Sequence, residues 1–132
     1  MSNIAFVHSV NVLGGAERMS EALIKGLKDK GHRFSLISPS AGALSETFAA
    51  YGVRNHFLSF FQPSISQPFS TWKNNQHIYS LLKDARIDLL HTGDLICTRS
   101  VIKAACSLKI PVVCHIHFPL EEPFVAWVFK RL

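Results

Sequence analysis

Disulfide chemistry has little to work with in this sequence. Its three cysteines, Cys97, Cys106 and Cys114, are an odd number in apolar surroundings. They read as reduced, buried thiols of a cytoplasmic protein, not as a secreted cross-linked framework. No apolar run reaches the roughly 18 residues of a membrane-spanning helix. Met1-Ser2-Asn3 leads straight into a strand-like segment, without the basic start and small-residue cleavage site of a secretory signal. Acidic residues are few, nine Asp and Glu against 14 Lys and Arg, for a net charge of +5. The basic residues are scattered and not interleaved with aromatics, which argues against nucleic acid. Solubility, an anionic ligand and an anionic membrane surface stay open as reasons for the charge. The dinucleotide fingerprint G-x-G-x-x-G is also missing, although Gly14 and Gly15 stand side by side.

What is present is a core. The chain is 132 residues long and 48% hydrophobic, enough for one compact domain. Five strand-like runs alternate with helical patterns: Ile4–His8, Phe34–Ser38, His56–Leu58, Ile87–His91 and Pro111–Ile116. Near-continuous apolar runs suit parallel strands covered on both faces. Between them, Met19, Leu23 and Leu27 form one helical stripe that ends at Gly31. Leu44, Phe48 and Tyr51 mark a short helix stopped by Gly52. Ile78, Leu81, Leu82 and Ala85 mark a third, and residues from about Thr98 to Leu108 a fourth, with Ile102, Ala105 and Cys106 inward. This alternation predicts an α/β domain: a doubly wound, Rossmann-like three-layer sandwich around a mostly parallel five-stranded sheet in the order 3-2-1-4-5.

Two segments stand apart. The connection Ser59–Trp72 carries Phe60, Phe61, Ile65, Phe69 and Trp72. It reads either as a loop folded over the core or as a surface facing an acceptor or a membrane. The end of the chain, "EEPFVAWVFKRL", opens like a helix with Pro123 early and Phe124, Trp127 and Val128 on one face. A helix that stops in mid-pattern at Leu132 is expected to be the lead into a longer protein, the alternative being a natural terminal helix.

In an open α/β sheet, ligands bind at the carboxyl ends of the strands, where strand order reverses. That crevice would gather three loops: Ser9–Gly15, Thr92–Ile96 and His117–Pro123. Gly14 and Gly15 allow positive φ and close approach of a ligand to the backbone. The helix after them turns its free N–H groups toward the crevice, which favours phosphate. A plain strand-to-helix turn fits the same glycines equally well. His91, His115 and His117 with Asp94 raise the question of a metal. No further Cys/His spacing supports one, so no metal is expected.

"GGAERMSEALIKGLKDKGH", "ARIDLLHTGD" and "KIPVVCHIHFP" follow one another in order. Together they resemble the N-terminal domain of the retaining, glycogen-synthase-like GT-B glycosyltransferases, of the glycosyltransferase family 4, group 1 type. The resemblance covers most of the chain. It implies an acceptor-side Rossmann-like domain over residues 1–132, with the C-terminal donor-binding domain absent. The activity it implies is transfer of a sugar from a nucleotide-diphosphate sugar to a glycan or lipid-linked acceptor. That sugar nucleotide would be a co-substrate, with no tightly bound cofactor. By match to the family's pattern, His117 corresponds to the catalytic histidine beside the donor sugar, and Gly14 and Gly15 to the donor-phosphate and reaction-centre loop. Asn11, Glu17, Arg18, Thr92, Asp94 and His115 fall on the acceptor or sugar side. The chain departs from the pattern at His115, where Thr or Ser is usual, at Phe118, where Asp is usual, and at Gly93, where a second His often sits.

Three classes of function follow from these readings. The first is the acceptor-side half of a glycosyltransferase, cytoplasmic, held peripherally at the inner membrane face, and inactive alone. The second is a stand-alone α/β module binding a nucleotide or phosphorylated ligand. The third is a noncatalytic partner that docks with a separate C-terminal subunit. The reading frame beyond Leu132 discriminates among them.

Overall fold

The computed structural model describes residues 1–60, 62–117, 119, 121–123 and 126. Along the chain run β1 (Asn3–Val7), α1 (Gly15–Leu27) with a 3-10 turn (Lys28–Lys30), β2 (Arg33–Ser38), α2 (Ala43–Ala49) and β3 (Arg54–Phe57). They are followed by α3 (Pro68–Asp84), β4 (Leu89–Thr92), α4 (Leu95–Ser107) and β5 (Val112–Cys114). The five strands are all parallel, in the order β3-β2-β1-β4-β5. This is the expected doubly wound sheet. The apolar faces expected at Phe124, Trp127 and Val128 lie outside the described residues, as do Phe61 and Phe118.

β1 is central and buried throughout, so its side chains show which helices cover which face. Ala5 and Val7 pack with Ile37 and Leu90 against Ile78 and Leu82 of α3 and Val101 of α4. Ile4 and Phe6 point the other way and pack with Phe34 and Leu36 against Ile24 of α1 and Leu44 and Phe48 of α2. The period of two is that of a strand covered on both sides. Each fully enclosed Leu or Phe contributes about 1.5–3 kcal/mol by leaving water. Phe6 and Phe48 also meet edge to face, with ring centroids 6.2 Å apart.

Several elements differ from the sequence-based expectation. α1 buries Glu17, Ser20 and Ile24, while Met19 is 43% exposed. Of the expected Met19–Leu23–Leu27 stripe, Leu23 and Leu27 pack at the margin of the core while Met19 turns outward, because the helix points a polar pair at His8. α4 begins at Leu95, earlier than Thr98, because Asp94 caps it: the Asp94 Oδ1 accepts from the Cys97 amide at 2.6 Å. α3 begins at Pro68, so the last five residues of the presumed connection, Pro68 to Trp72, are helix. Phe60 packs on the core, whereas Ile65, Phe69 and Trp72 are exposed. Cys97 is buried and Ala105 packs inward as expected, but Cys106 is exposed because α4 turns Ala104 to the sheet in its place, and Cys114, on the edge strand β5, is half-buried. β5 is shorter than Pro111–Ile116, although the His115 amide still bonds the Thr92 carbonyl at 2.9 Å.

Candidate active-site crevice

Parallel winding brings the carboxyl ends of β1 and β4 together at the switch point. β1 continues into His8, and the loop after it ends at Gly14, the N-cap of α1. β4 continues into Gly93, whose amide bonds the Val7 carbonyl at 3.0 Å. The Ser9 hydroxyl donates to the Asp94 carboxylate at 3.4 Å, tying the β1–α1 and β4–α4 loops to each other.

Beneath this crevice lies a buried polar chain. The His8 Nε2 is 3.0 Å from the Ser20 hydroxyl, and its Nδ1 is 3.2 Å from the Glu17 carboxylate. The other Glu17 oxygen accepts from the Gly14 amide at 3.0 Å. Glu17 is therefore the third helical residue reaching back to its own N-cap. It fixes the glycine pair and positions His8 in one step. His8 is only 2% exposed. Burial pushes its pKa down, and the nearby Glu17 and Asp94 carboxylates only partly oppose that.

The glycines serve different ends. A Cβ on Gly14 would meet the Glu17 Oε2 at 2.8 Å, so Gly14 makes room for the carboxylate. A Cβ on Gly15 would meet nothing within 4 Å. Its face is open. Positive φ, which this pair would permit, is not used: Gly14 has φ −91, and the left-handed glycines among the described residues are Gly31 and Gly52. The first intrahelical bond here runs from the Arg18 amide to the Gly14 carbonyl at 3.1 Å, so the amides of Gly15, Ala16 and Glu17 precede it. Gly93 is small for a third reason. A Cβ there would stand 2.8 Å from both Cε1 and Nδ1 of His8. His8 fills the space that a side chain at 93 would need.

Three histidines step outward from the core. The His91 ring lies 5.1 Å from Phe6 and 5.6 Å edge-on from His115, and His115 stacks on His117 at 4.2 Å and 21°. Burial lowers the His91 pKa to about 4, with His115, His8 and His117 adding to the effect. Its Nδ1 has no hydrogen-bond partner among the described residues. His117 is exposed at the outer end of the stack.

The remaining predicted site residues divide between the crevice and its supports. Arg18 is exposed one turn into α1. Thr92 is fully enclosed, its hydroxyl shared with Thr98 and the Val113 carbonyl. Asn11 braces the loop against α2: its Nδ2 donates to the Ser40 carbonyl and its Oδ1 accepts from the Ser45 amide at 3.2 Å. Sequence reasoning missed His8 and Ser20. The legible signal was Glu17 three residues after an N-cap glycine. Among the described residues, no group of three or more His, Cys, Asp or Glu side chains could hold a metal ion. No helix there is long and apolar enough to cross a membrane.

The fold is shared with solved enzymes. MurG from Acinetobacter baumannii superposes with a TM-score of 0.72 at 16% identity, over 98% of this chain and 39% of that one. HepE from Anabaena, solved with UDP and glucose, gives 0.67 at 18% identity, over 98% and 34%. A glycosyltransferase from Rickettsia africae ESF-5 gives 0.66 at 19% identity, over 96% and 33%. The chain thus spans only 33–39% of the length of these proteins, and identities this low establish the fold. No curated protein matches the sequence. The sequence pattern of Glycosyltransferase Family 4 does match, over residues 13–132, and the chain belongs to that family.

Proposed function

We propose that this chain is the acceptor-side half of a retaining glycosyltransferase. It would help move a sugar from a nucleotide-diphosphate sugar to a glycan or lipid-linked acceptor. The observation that carries the reading is the open face of Gly15 at the start of α1, with Glu17 holding the adjoining Gly14 amide. Transfer requires a diphosphate leaving group to be stabilised and an anomeric carbon to be aligned with an acceptor hydroxyl. Free amides at the positive end of a 13-residue helix suit the diphosphate, and Arg18 adds charge beside them. His117, outermost of the histidine stack, is the polar partner for the donor sugar, with His115 behind it. Asn11, Asp94 and Thr92 hold the loops that shape the acceptor side. HepE from Anabaena, which shares the fold, has also been solved in complex with UDP-glucose, and that supports a sugar nucleotide as the co-substrate.

The acceptor wall would be apolar. Phe57, at the carboxyl end of β3, and Phe69 and Trp72, in the first turns of α3, are exposed, and the last two rings lie 6.0 Å apart. Exposed apolar surface of this kind marks contact sites, and it suits a lipid-linked acceptor at a cytoplasmic membrane face. The donor-binding half would come from a second domain, so this half alone is expected to bind a nucleotide sugar weakly and transfer nothing.

Transfer assays on the enzyme carrying both halves test the reading. Gly15→Val places a branched side chain in the open face and should lower kcat/KM by about 100-fold. His117→Ala should cost roughly 10- to 100-fold. Both variants should melt with the parent. If both fold and keep the parent rate, the glycines are only a turn and the assignment fails.

A further inference from the structure

We propose a second anion site, at the opposite end of the sheet from the crevice, that takes a multiply charged phosphoryl group. The amino ends of β1, β2 and β3 and the turns that precede β2, β3 and β4 enclose a cavity of about 540 Å³. Lys28, Arg33, Arg54 and Arg86 line it, together with His32 and one carboxylate, Asp84. Most of the chain's +5 net charge is therefore gathered around a single concavity. Among the described residues the ion pair of a lysine or arginine with a carboxylate is Glu21–Lys25, so none of these four cations has a carboxylate partner. The His32 Nδ1 is enclosed and has no hydrogen-bond partner among the described residues.

A simpler role accounts for only part of the cluster. Lys28 and Arg86 follow the carboxyl ends of α1 and α3, where a cation offsets the carbonyl dipoles. Arg33 and Arg54 open strands β2 and β3 and have no helix end to serve. Guanidinium groups present paired donors that match phosphate oxygens, and several cations together match the charge of a di- or triphosphate. The volume suits a small phosphorylated ligand or a lipid headgroup. The length of β1, five residues, puts this site roughly 15 Å from the crevice, so the two are separable.

Calorimetric titration of the purified protein with pyrophosphate tests the proposal. Vesicles of phosphatidylglycerol with phosphatidylcholine, against phosphatidylcholine alone, form the second arm. Saturable binding of pyrophosphate identifies a free ligand, and binding only to the anionic vesicles identifies a headgroup. In either case the double variant Arg33→Ala/Arg54→Ala should weaken binding roughly tenfold per arginine. Lys103→Ala, which removes an exposed charge on α4, should leave it unchanged, and Gly15→Val, which closes the crevice, should leave the arginine-dependent binding in place. Both arginines are exposed, so the double variant should keep the parent melting midpoint. Three results overturn the proposal: no binding in either arm, binding that survives the double variant, or binding that Gly15→Val abolishes. The last would place the anion in the crevice, and it would leave the proposed transferase role intact.

Discussion

Gly93→Ala adds one methyl group at the most crowded point of the crevice floor. The new carbon would lie 2.8 Å from two atoms of the His8 ring, well inside van der Waals contact. The ring cannot swing aside cheaply, because Ser20 holds one nitrogen and Glu17 the other. Either the methyl pushes β4's extension away from β1, or His8 moves and Glu17 loses its partner in a buried site. Overpacking of this kind costs about 1–3 kcal/mol. In a domain of this size each kcal/mol shifts the melting midpoint by about 3–6 °C. A thermal melt of the variant should therefore fall by roughly 3–18 °C. A double-mutant cycle isolates the contact: in a His8→Ala background the Gly93→Ala substitution should cost much less, because the ring it strikes is gone. Gly93→Ala melting with the parent would refute the steric account, and so would equal costs in the two backgrounds.

Acid should loosen the same region. The native fold keeps His91 neutral to about pH 4, and His8 is lowered in the same direction, whereas the unfolded chain protonates both near 6.5. The unfolded state thus binds more protons between those values, and stability falls as pH drops from 6.5 toward 4. His91 should contribute about 1–2 kcal/mol of that loss after solvent screening. Urea melts of His91→Gln should show a shallower pH slope, and an unchanged slope contradicts the assignment. Asp94→Ala removes the cap on the Cys97 amide and should cost about 1 kcal/mol, most of it restored by Asp94→Asn; a melt reads both. Thiol labelling should mark exposed Cys106 first and leave Cys97 unreacted until unfolding, because burial, with Asp94 adding, pushes its pKa up. Early modification of Cys97 in the native protein would show that α4 opens there.

The order of the strands was legible because each apolar run alternates with a helical stripe, and right-handed crossovers leave few ways to arrange them. Element ends were less so. Asp94 as a cap sets the start of α4, and nothing in the apolar stripe from Thr98 onward announces it. α1 was misaligned for a physical reason: periodicity counts Glu17 as a surface residue, whereas its carboxylate is held by the His8 ring from another element and by the Gly14 amide. A pairing across a strand, a turn and a helix has no signature in spacing. Gly93 shows the converse. The sequence offers a bare glycine after β4, and only the geometry explains it, through the His8 ring that already occupies the volume.

The central claim is that a donor diphosphate meets the backbone at Gly15. The most direct measurement is the distance from the Gly15 amide nitrogen to the nearest phosphate oxygen, in a structure of the two-domain enzyme with a nucleotide-diphosphate sugar bound. The account predicts a hydrogen bond, about 3 Å, with His117 beside the sugar. A diphosphate held elsewhere, with the Gly15 face still open to solvent, would contradict it.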